Sequence, residues 1–394
     1  MRAATLLALL PLAIAAPAKR ASPAPVIVPR NAQLVEGKYI VKMKDQVKSE
    51  SMHAAIEDIA ANADYTYSHS FNGFAASLSD EELKNLRDNP DVDYIEQDVI
   101  VTISATQEGA DWGLARLSNQ KPGSSTYTYD DSAGQGTCAY VIDTGVDATH
   151  PTPRGLLRLT ASQDFEGRAK FLANFVDKDN TDANGHGTHV SGTIGSKTYG
   201  VAKKTTIFGV KVLNAKGSGT GSGIIAAMEF VAKDAPGQNC PKGIVVNMSL
   251  GGGKSNAINH AAANVVKAGL FLAVAAGNDG KDAAGYSPAS EPTACTVGAT
   301  QKDDSLASYS NIGSLVKVLA PGTDITSTFP NGKTRSATGT SMASPHVAGL
   351  AAYFLGMGQS TKGLCEYLAK NALKDVISGV PKGTANLLIN NAKK

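Results

Sequence analysis

The spacing of hydrophobic positions changes twice along the chain, and the changes divide it. After Arg2 an apolar run, Leu6–Leu12, leads to Ala13-Ile14-Ala15. Such a run behind a positive residue and ahead of small ones predicts a signal peptide over 1–16, because it is shorter than the ~20 residues a membrane-spanning helix needs. Residues 17 to about 36 are rich in alanine and proline, carry Lys19-Arg20, and read as a flexible lead-in. A small α+β pattern follows over about 36–104. It contains a strand at Lys38–Lys42, an amphipathic stretch Ser51–Ala60, a strand at Phe71–Leu78, a capped helix Asp80–Asp88 and a strand at Val92–Gln97.

From about Gly136 short, continuously apolar segments alternate with longer helical ones. Strands are expected at Thr137–Ile142, Ile207–Leu213, Ile244–Met248, Leu270–Ala275, Thr296–Ala299 and Val316–Ala320. Helices are expected at Gly187–Gly195, Gly223–Lys233, Ile258–Lys267 and Ser341–Leu355. Strands without polar alternation are those of a parallel sheet covered on both faces. The predicted fold is therefore α/β, three layers around a mostly parallel sheet, preceded by the small α+β domain. Loops at the carboxyl ends of such strands build sites, and Asp143 follows the first strand.

Composition narrows the classes. With 394 residues, 42% hydrophobic and 18% charged, the chain buries a substantial core, and its net charge of +2 has no basic run of the density that phosphate binding demands. No nucleic-acid partner is expected. A secreted chain permits disulfides, and four cysteines, Cys138, Cys240, Cys295 and Cys365, leave three pairings open. A zinc site is disfavoured because no C-x-x-C spacing occurs.

Three islands carry chemistry: Asp143-Thr144-Gly145, His186-Gly187-Thr188-His189, and Thr338–Gly349, reading TGTSMASPHVAG, with Ser341 at a helix start. A serine hydroxyl needs a base, and the base needs a fixed tautomer. The order Asp, His, Ser separates the set from α/β-hydrolases, where serine comes first, and from chymotrypsin-like enzymes, where histidine does. His150, His189 and His346 compete with His186 as the base. The pair His186 and His189 lacks the glutamate and third ligand of a zinc hydrolase. Asn278 in AVAAGNDG follows an apolar strand; alone it reads as a turn residue, and beside the three islands it becomes a candidate oxyanion donor with the Ser341 N–H.

VIDTGVDATHP, NGHGTHVSGTIG, VVNMSLGGG, VAAGNDG and GTSMASPHVAG resemble the signature blocks of the subtilisin-like serine proteases. SAGQGTC, YGVAKKTTIFGVKVL, GYSPASEP and GTANLL narrow the resemblance to the secreted fungal proteinase K group. It covers the chain after about Ala105, with weaker similarity to the family's inhibitory propeptide over about 36–104.

The resemblance implies a serine endopeptidase made as a self-processing zymogen, cut at Ser104–Ala105 into a propeptide, 17–104, and a peptidase domain, 105–394. Asp143, His186 and Ser341 match the triad, and Asn278 the oxyanion asparagine. Gly217, Ser218, Gly219, Thr220 and Gly221, with Ser249, Leu250 and Gly251, match two segments that hold an extended peptide. Ala275, Ala276 and Gly277 match a wall of the pocket for the residue before the cut, where apolar or aromatic residues are preferred. Family pairing joins Cys138 to Cys240 and Cys295 to Cys365, and Val190 replaces an unpaired cysteine. The expected partners are protein and peptide substrates and the enzyme's own propeptide as inhibitor, with no membrane and a monomeric state. No cofactor is required.

Several positions depart from the family. Thr152–Gln163 reads either as an insertion, which a surface loop tolerates cheaply, or as residues from an unspliced intron or gene-model error. Lys317 stands where an aspartate anchors the tight calcium site, so that site is doubtful and only weak calcium binding stays open. Gly221 replaces an aromatic lid of the distal pocket. The sequon at Asn247 lies in a strand and is expected to be unmodified. Two other functions share the pattern: a catalytically silent binding protein of the same fold, and a non-proteolytic esterase. The intact triad and the peptide-like groove disfavour both.

Overall fold

A computed structural model describes residues 22–28, 33–59, 63–67, 72–100, 104–148 and 164–392. The expected signal peptide 1–16, His150, the insertion Thr152–Gln163 and the element ends Ala60 and Phe71 lie outside the described residues. The chain divides into two units after Thr102, two residues ahead of the expected cut.

In the first unit the described strands form one sheet in the order Val26–Ile27, Val92–Ile100, Gln33–Met43, Gly73–Ser77, Tyr65–Tyr67. Helices Ser49–Glu57 and Asp80–Asp88 complete it. The second has the expected bounds because Ser79 and Glu82 form a reciprocal capping box, each side chain accepting the other's backbone N–H. Val41, Met43, Met52, Phe74, Leu86 and Ile95 fill the unit's own core.

The second unit is built on a sheet that, among the described residues, has nine strands: β1 (Thr137–Asp143), β2 (Ala169–Asn174), β3 (Thr206–Lys211), β4 (Gly243–Met248), β5 (Phe271–Ala275), β6 (Cys295–Thr300), β7 (Val316–Pro321), β8 (Leu373–Lys374) and β9 (Leu387–Leu388). Their order is β8-β9-β7-β6-β5-β4-β1-β3-β2, and all neighbours are parallel except β8 and β9. Successive residues of β1 feed opposite faces, as strand geometry requires. Ala139 and Val141 join a core with α1 (His186–Gly195) and α4 (Thr340–Gly356). Cys138, Tyr140 and Ile142 join the other, with α2 (Gly221–Asp234) and α3 (Asn256–Lys267). α4 is buried on nearly every side, which explains why its apolar residues show no single stripe.

Several elements were not expected, among them an edge strand and two hairpin-like pairs. β2 is an edge strand of intermediate burial, so it lacks the continuous apolar run of its neighbours. A separate hairpin, Ile325–Phe329 with Lys333–Ala337, turns at Asn331-Gly332, both at positive φ. That dipeptide is a hairpin signal in its own right. Ser104–Gln107 pairs with Tyr127–Asp130. Cys138 is joined to Cys240 and Cys295 to Cys365, with Cα atoms 5.7 Å apart in each pair. Val190 is fully buried in α1.

Candidate active site

Asp143 is the last residue of β1, at the carboxyl edge of the sheet's middle, and is fully buried. His186 opens α1, and its side chain keeps 29% of its surface exposed. Nδ1 of His186 lies 2.7 Å from Oδ1 of Asp143. A carboxylate accepts, so Nδ1 carries the proton and Nε2 is left as a base. The Thr144 N–H donates to the same oxygen at 2.7 Å, while Asp143 Oδ2 is buried with no donor among the described residues. Burial works against charge on the His186 ring, but the charge and hydrogen bond of Asp143, with the charge of Asp182 behind it, outweigh that effect. The imidazole pKa is therefore raised above its ordinary 6.5.

Ser341 is the second residue of α4, so its backbone N–H is among those a helix leaves unpaired. Its hydroxyl donates to the Ser249 carbonyl at 3.2 Å, and Ser249 Oγ donates back to the Ser341 carbonyl at 2.7 Å. No hydrogen bond joins Ser341 to His186, a contact that in hydrolases often tightens only around substrate. Asn247 fixes Ser249: its Nδ2 donates to Ser249 Oγ at 3.0 Å and its Oδ1 accepts from Ser344 at 2.8 Å. Asn247 is fully buried with both amide atoms engaged, so the folded sequon presents nothing to a glycan.

Asn278 follows β5. Its Oδ1 accepts the Thr340 N–H at 2.8 Å and the Thr340 hydroxyl at 2.9 Å, which turns Nδ2 outward as a donor. A Cβ built on Gly339 would lie 3.4 Å from Asn278 Nδ2 and 3.6 Å from Ser341 N. A side chain at Gly339 would therefore sit beside both donors, and its φ of 154° is a conformation that favours glycine.

Beside them lies a cavity of about 370 Å³. Leu250–Gly253 form one wall and Ala275–Gly277 another, with Tyr286, Ser287 and Ala289 also lining it. Tyr286, Ser287 and Ala289 lie in the GYSPASEP block but were assigned no site role, because a tyrosine, a serine and an alanine in a loop carry no spacing signal. Gly217–Thr220 form an exposed segment between β3 and α2. Gly221 lies inside α2, because Thr220 accepts the Gly223 N–H and caps the helix two residues earlier than the expected start at Gly223. A larger cavity, about 500 Å³, lies at the amino ends of β5 to β7, lined by Lys317, Cys295, Cys365 and Glu366. Size does not make it the reaction site, since it holds neither His186 nor Ser341. Among the described residues no group of three or more His, Cys, Asp or Glu side chains is placed to hold a metal.

The Subtilase family profile matches residues 134–378, around every residue of this constellation. The chain belongs to the subtilase family. A Peptidase inhibitor I9 profile matches residues 38–104 of this subtilase. A cuticle-degrading protease of Metarhizium anisopliae is 51% identical over 398 residues, covering 99% of this chain and 100% of the relative. Proteinase T of Parengyodontium album is 64% identical over 302 residues, 76% of this chain and 99% of that one. A crystal structure of a cold-adapted subtilisin-like serine proteinase superposes with TM-score 0.65 at 40% identity, covering 72% of this chain and 99% of that chain. The subtilase is a proteinase K-like serine protease with an I9-type propeptide. The silent binding protein and the esterase find no support among these relatives.

Proposed function

We propose that Asp143, His186 and Ser341 are the triad of this protease and that Asn278 Nδ2 and the Ser341 N–H hold the oxyanion. Ser341 Oγ leaves the Ser249 carbonyl, gives its proton to His186 Nε2 and bonds to the peptide carbonyl carbon. The imidazolium then protonates the leaving amine, and water repeats the cycle to release the acyl group. Asp143 stays ionised and holds the ring. The 2.7 Å contact between His186 Nδ1 and Asp143 Oδ1 carries this reading, because it leaves Nε2 free and basic.

The cavity wall of Leu250–Gly253 and Ala275–Gly277 supports a pocket for an apolar or aromatic residue before the cut. Gly217–Gly221 and Ser249–Gly251 hold the peptide as an added strand. Self-cleavage at Ser104–Ala105 separates the propeptide, 17–104, from the peptidase, 105–394; an I9 match that ends at 104 supports that position. The signal 1–16 directs a monomer out of the cell, with neither nucleic acid nor membrane as partner. No helix among the described residues is long and apolar enough to cross a membrane. Lys317 offers an ammonium where a hard cation needs oxygens, so the tight calcium site is absent and only weaker binding remains open.

Ser341→Ala tests the reading. The full chain carrying it should remain unprocessed, take no fluorophosphonate label and leave casein intact, whereas wild type should show Ala105 as the amino terminus of the mature form. Labelling of the variant would refute Ser341 as the nucleophile.

A further inference from the structure

The helix that carries His186 begins without a cap of its own. Its N-cap is Gly185, at φ 92°, where a Cβ would collide with the Phe329 ring. A glycine has no side chain to satisfy the leading N–H groups of a helix, so neighbours must do it. Asp182 takes two of the four. Gly185 N donates to Asp182 Oδ1 and Thr188 N to Asp182 Oδ2, both at 2.8 Å. His186 N donates to Asn184 Oδ1 at 3.2 Å and Gly187 N to Thr144 Oγ1 at 2.8 Å.

Asp182 also accepts two hydroxyls, that of Thr144 on Oδ1 at 2.7 Å and that of Thr188 on Oδ2 at 2.6 Å. It is only 5% exposed. A buried carboxylate is costly unless donors surround it, and this one has four. The Thr144 link matters because Thr144 follows Asp143 and gives its own N–H to Asp143 Oδ1. One carboxylate therefore joins the start of the histidine helix to the strand end that holds the aspartate.

We propose that Asp182 is a positioning residue of the triad: tied to Gly185 and Thr188 on one side and to Thr144 on the other, it fixes His186 against Asp143 and places a second negative charge behind the imidazolium formed in turnover. A surface helix cap needs one bond to the helix and no link to another element. The charges that act on the His186 ring are those of Asp143 and Asp182, with His189 one turn further along α1 and Lys211 beneath Thr144. The Lys211 ammonium, fully buried, donates to the carbonyls of Thr144 at 2.9 Å and Leu213 at 2.8 Å and lies 4.0 Å from Asp177. Loss of the Asp182 charge removes one of the two carboxylates that favour a charged His186 ring, so His186 would take up a proton less readily.

The proposal rests on the triad reading, which Ser341→Ala tests separately through the loss of fluorophosphonate labelling. Its own test uses the full chain, matured by itself, with Asp182→Asn, Thr144→Val and Thr144→Ser. Kinetics on a chromogenic peptide across pH and a thermal midpoint are read for each. Asp182→Asn should lower kcat about 10- to 100-fold, the scale of a small misplacement of a reacting group, with KM little changed. The acid limb of kcat/KM should move to lower pH. Thr144→Val should lower kcat without moving the acid limb, because it cuts the link and keeps the charge, and Thr144→Ser should restore it. A folded Asp182→Asn enzyme with wild-type kcat and acid limb, whatever its thermal midpoint, would make Asp182 a helix cap only and overturn the proposal. If Asp182→Asn does not fold, the Thr144 pair decides, and wild-type kcat in Thr144→Val overturns it.

Discussion

Acid should unfold this subtilase through two histidines that take no part in the proposed chemistry. His189 and His346 are each 1% exposed. His346 Nδ1 donates to the Met342 carbonyl at 2.9 Å, and His189 Nε2 lies 3.0 Å from the carbonyls of Ile325 and Arg335. Burial disfavours a charge on either ring and lowers both pKa values to about 4, with each histidine opposing charge on its neighbours. The unfolded chain binds protons near 6.5, so between those values it holds more protons than the native state. Stability is therefore complete above about pH 6.5, falls as pH drops towards 4, and changes no further below that. At pH 4.5 the shift of His346 corresponds to about 2–3 kcal/mol, a substantial part of the roughly 5–15 kcal/mol that folds a domain.

The assay is urea unfolding of Ser341→Ala, which cannot digest itself, followed by the fluorescence of Trp112, the chain's single tryptophan. His346→Asn keeps a donor near the Met342 carbonyl and removes the titration. The variant should be less stable at pH 7.5, yet lose about 2–3 kcal/mol less than its parent between pH 7.5 and 4.5. Equal losses in the two proteins would refute the assignment of acid sensitivity to this ring.

Four further outcomes are expected. The acid limb of kcat/KM should lie above pH 6.5, because the raised His186 must lose its proton to act, and Asp143→Asn should move it lower while cutting kcat by about 10⁴-fold; a pH profile checks both. Asn278→Ala should reduce kcat about 10²- to 10³-fold, the loss measured for this donor in subtilisin, with KM nearly unchanged in steady-state kinetics. Gly339→Ala should match or exceed that loss, since its methyl enters the space between the two oxyanion donors; kcat above a tenth of wild type would show that space to be unused. Gly221→Tyr should narrow the preference for large apolar groups four residues before the cut, read from a peptide library.

What could be read from the sequence and what could not differ in kind. Asp143, His186, Ser341 and Asn278 stand at ends of elements whose apolar runs announce them, and each island is contiguous. Strands β1, β5 and β6 are wholly buried, so their composition reported a two-sided environment that the fold then supplied. The edge strand β2 faces less protein and carried less signal. Gly221 was assigned to a substrate segment by similarity alone; the Thr220 cap that draws it into α2 depends on a single hydroxyl meeting the Gly223 N–H.

The supports of the site were the least legible because they are pairwise and long-range. Thr144 and Asp182 are 38 residues apart, and neither sits at an apolar spacing that would point to the other. The hairpin Ile325–Ala337 braces α1 from the far end of the chain: Thr328 donates to the Thr188 carbonyl, and the Ile325 and Arg335 carbonyls meet His189. Phe329 of the same hairpin excludes any side chain at Gly185, and the absent side chain is what obliges Asp182 to serve the helix instead. The glycine before His186 therefore does more than permit a turn. By leaving the helix start uncapped, it makes a residue tied to Asp143's own neighbour the natural acceptor, and geometry at the base becomes coupled to geometry at the acid that orients it.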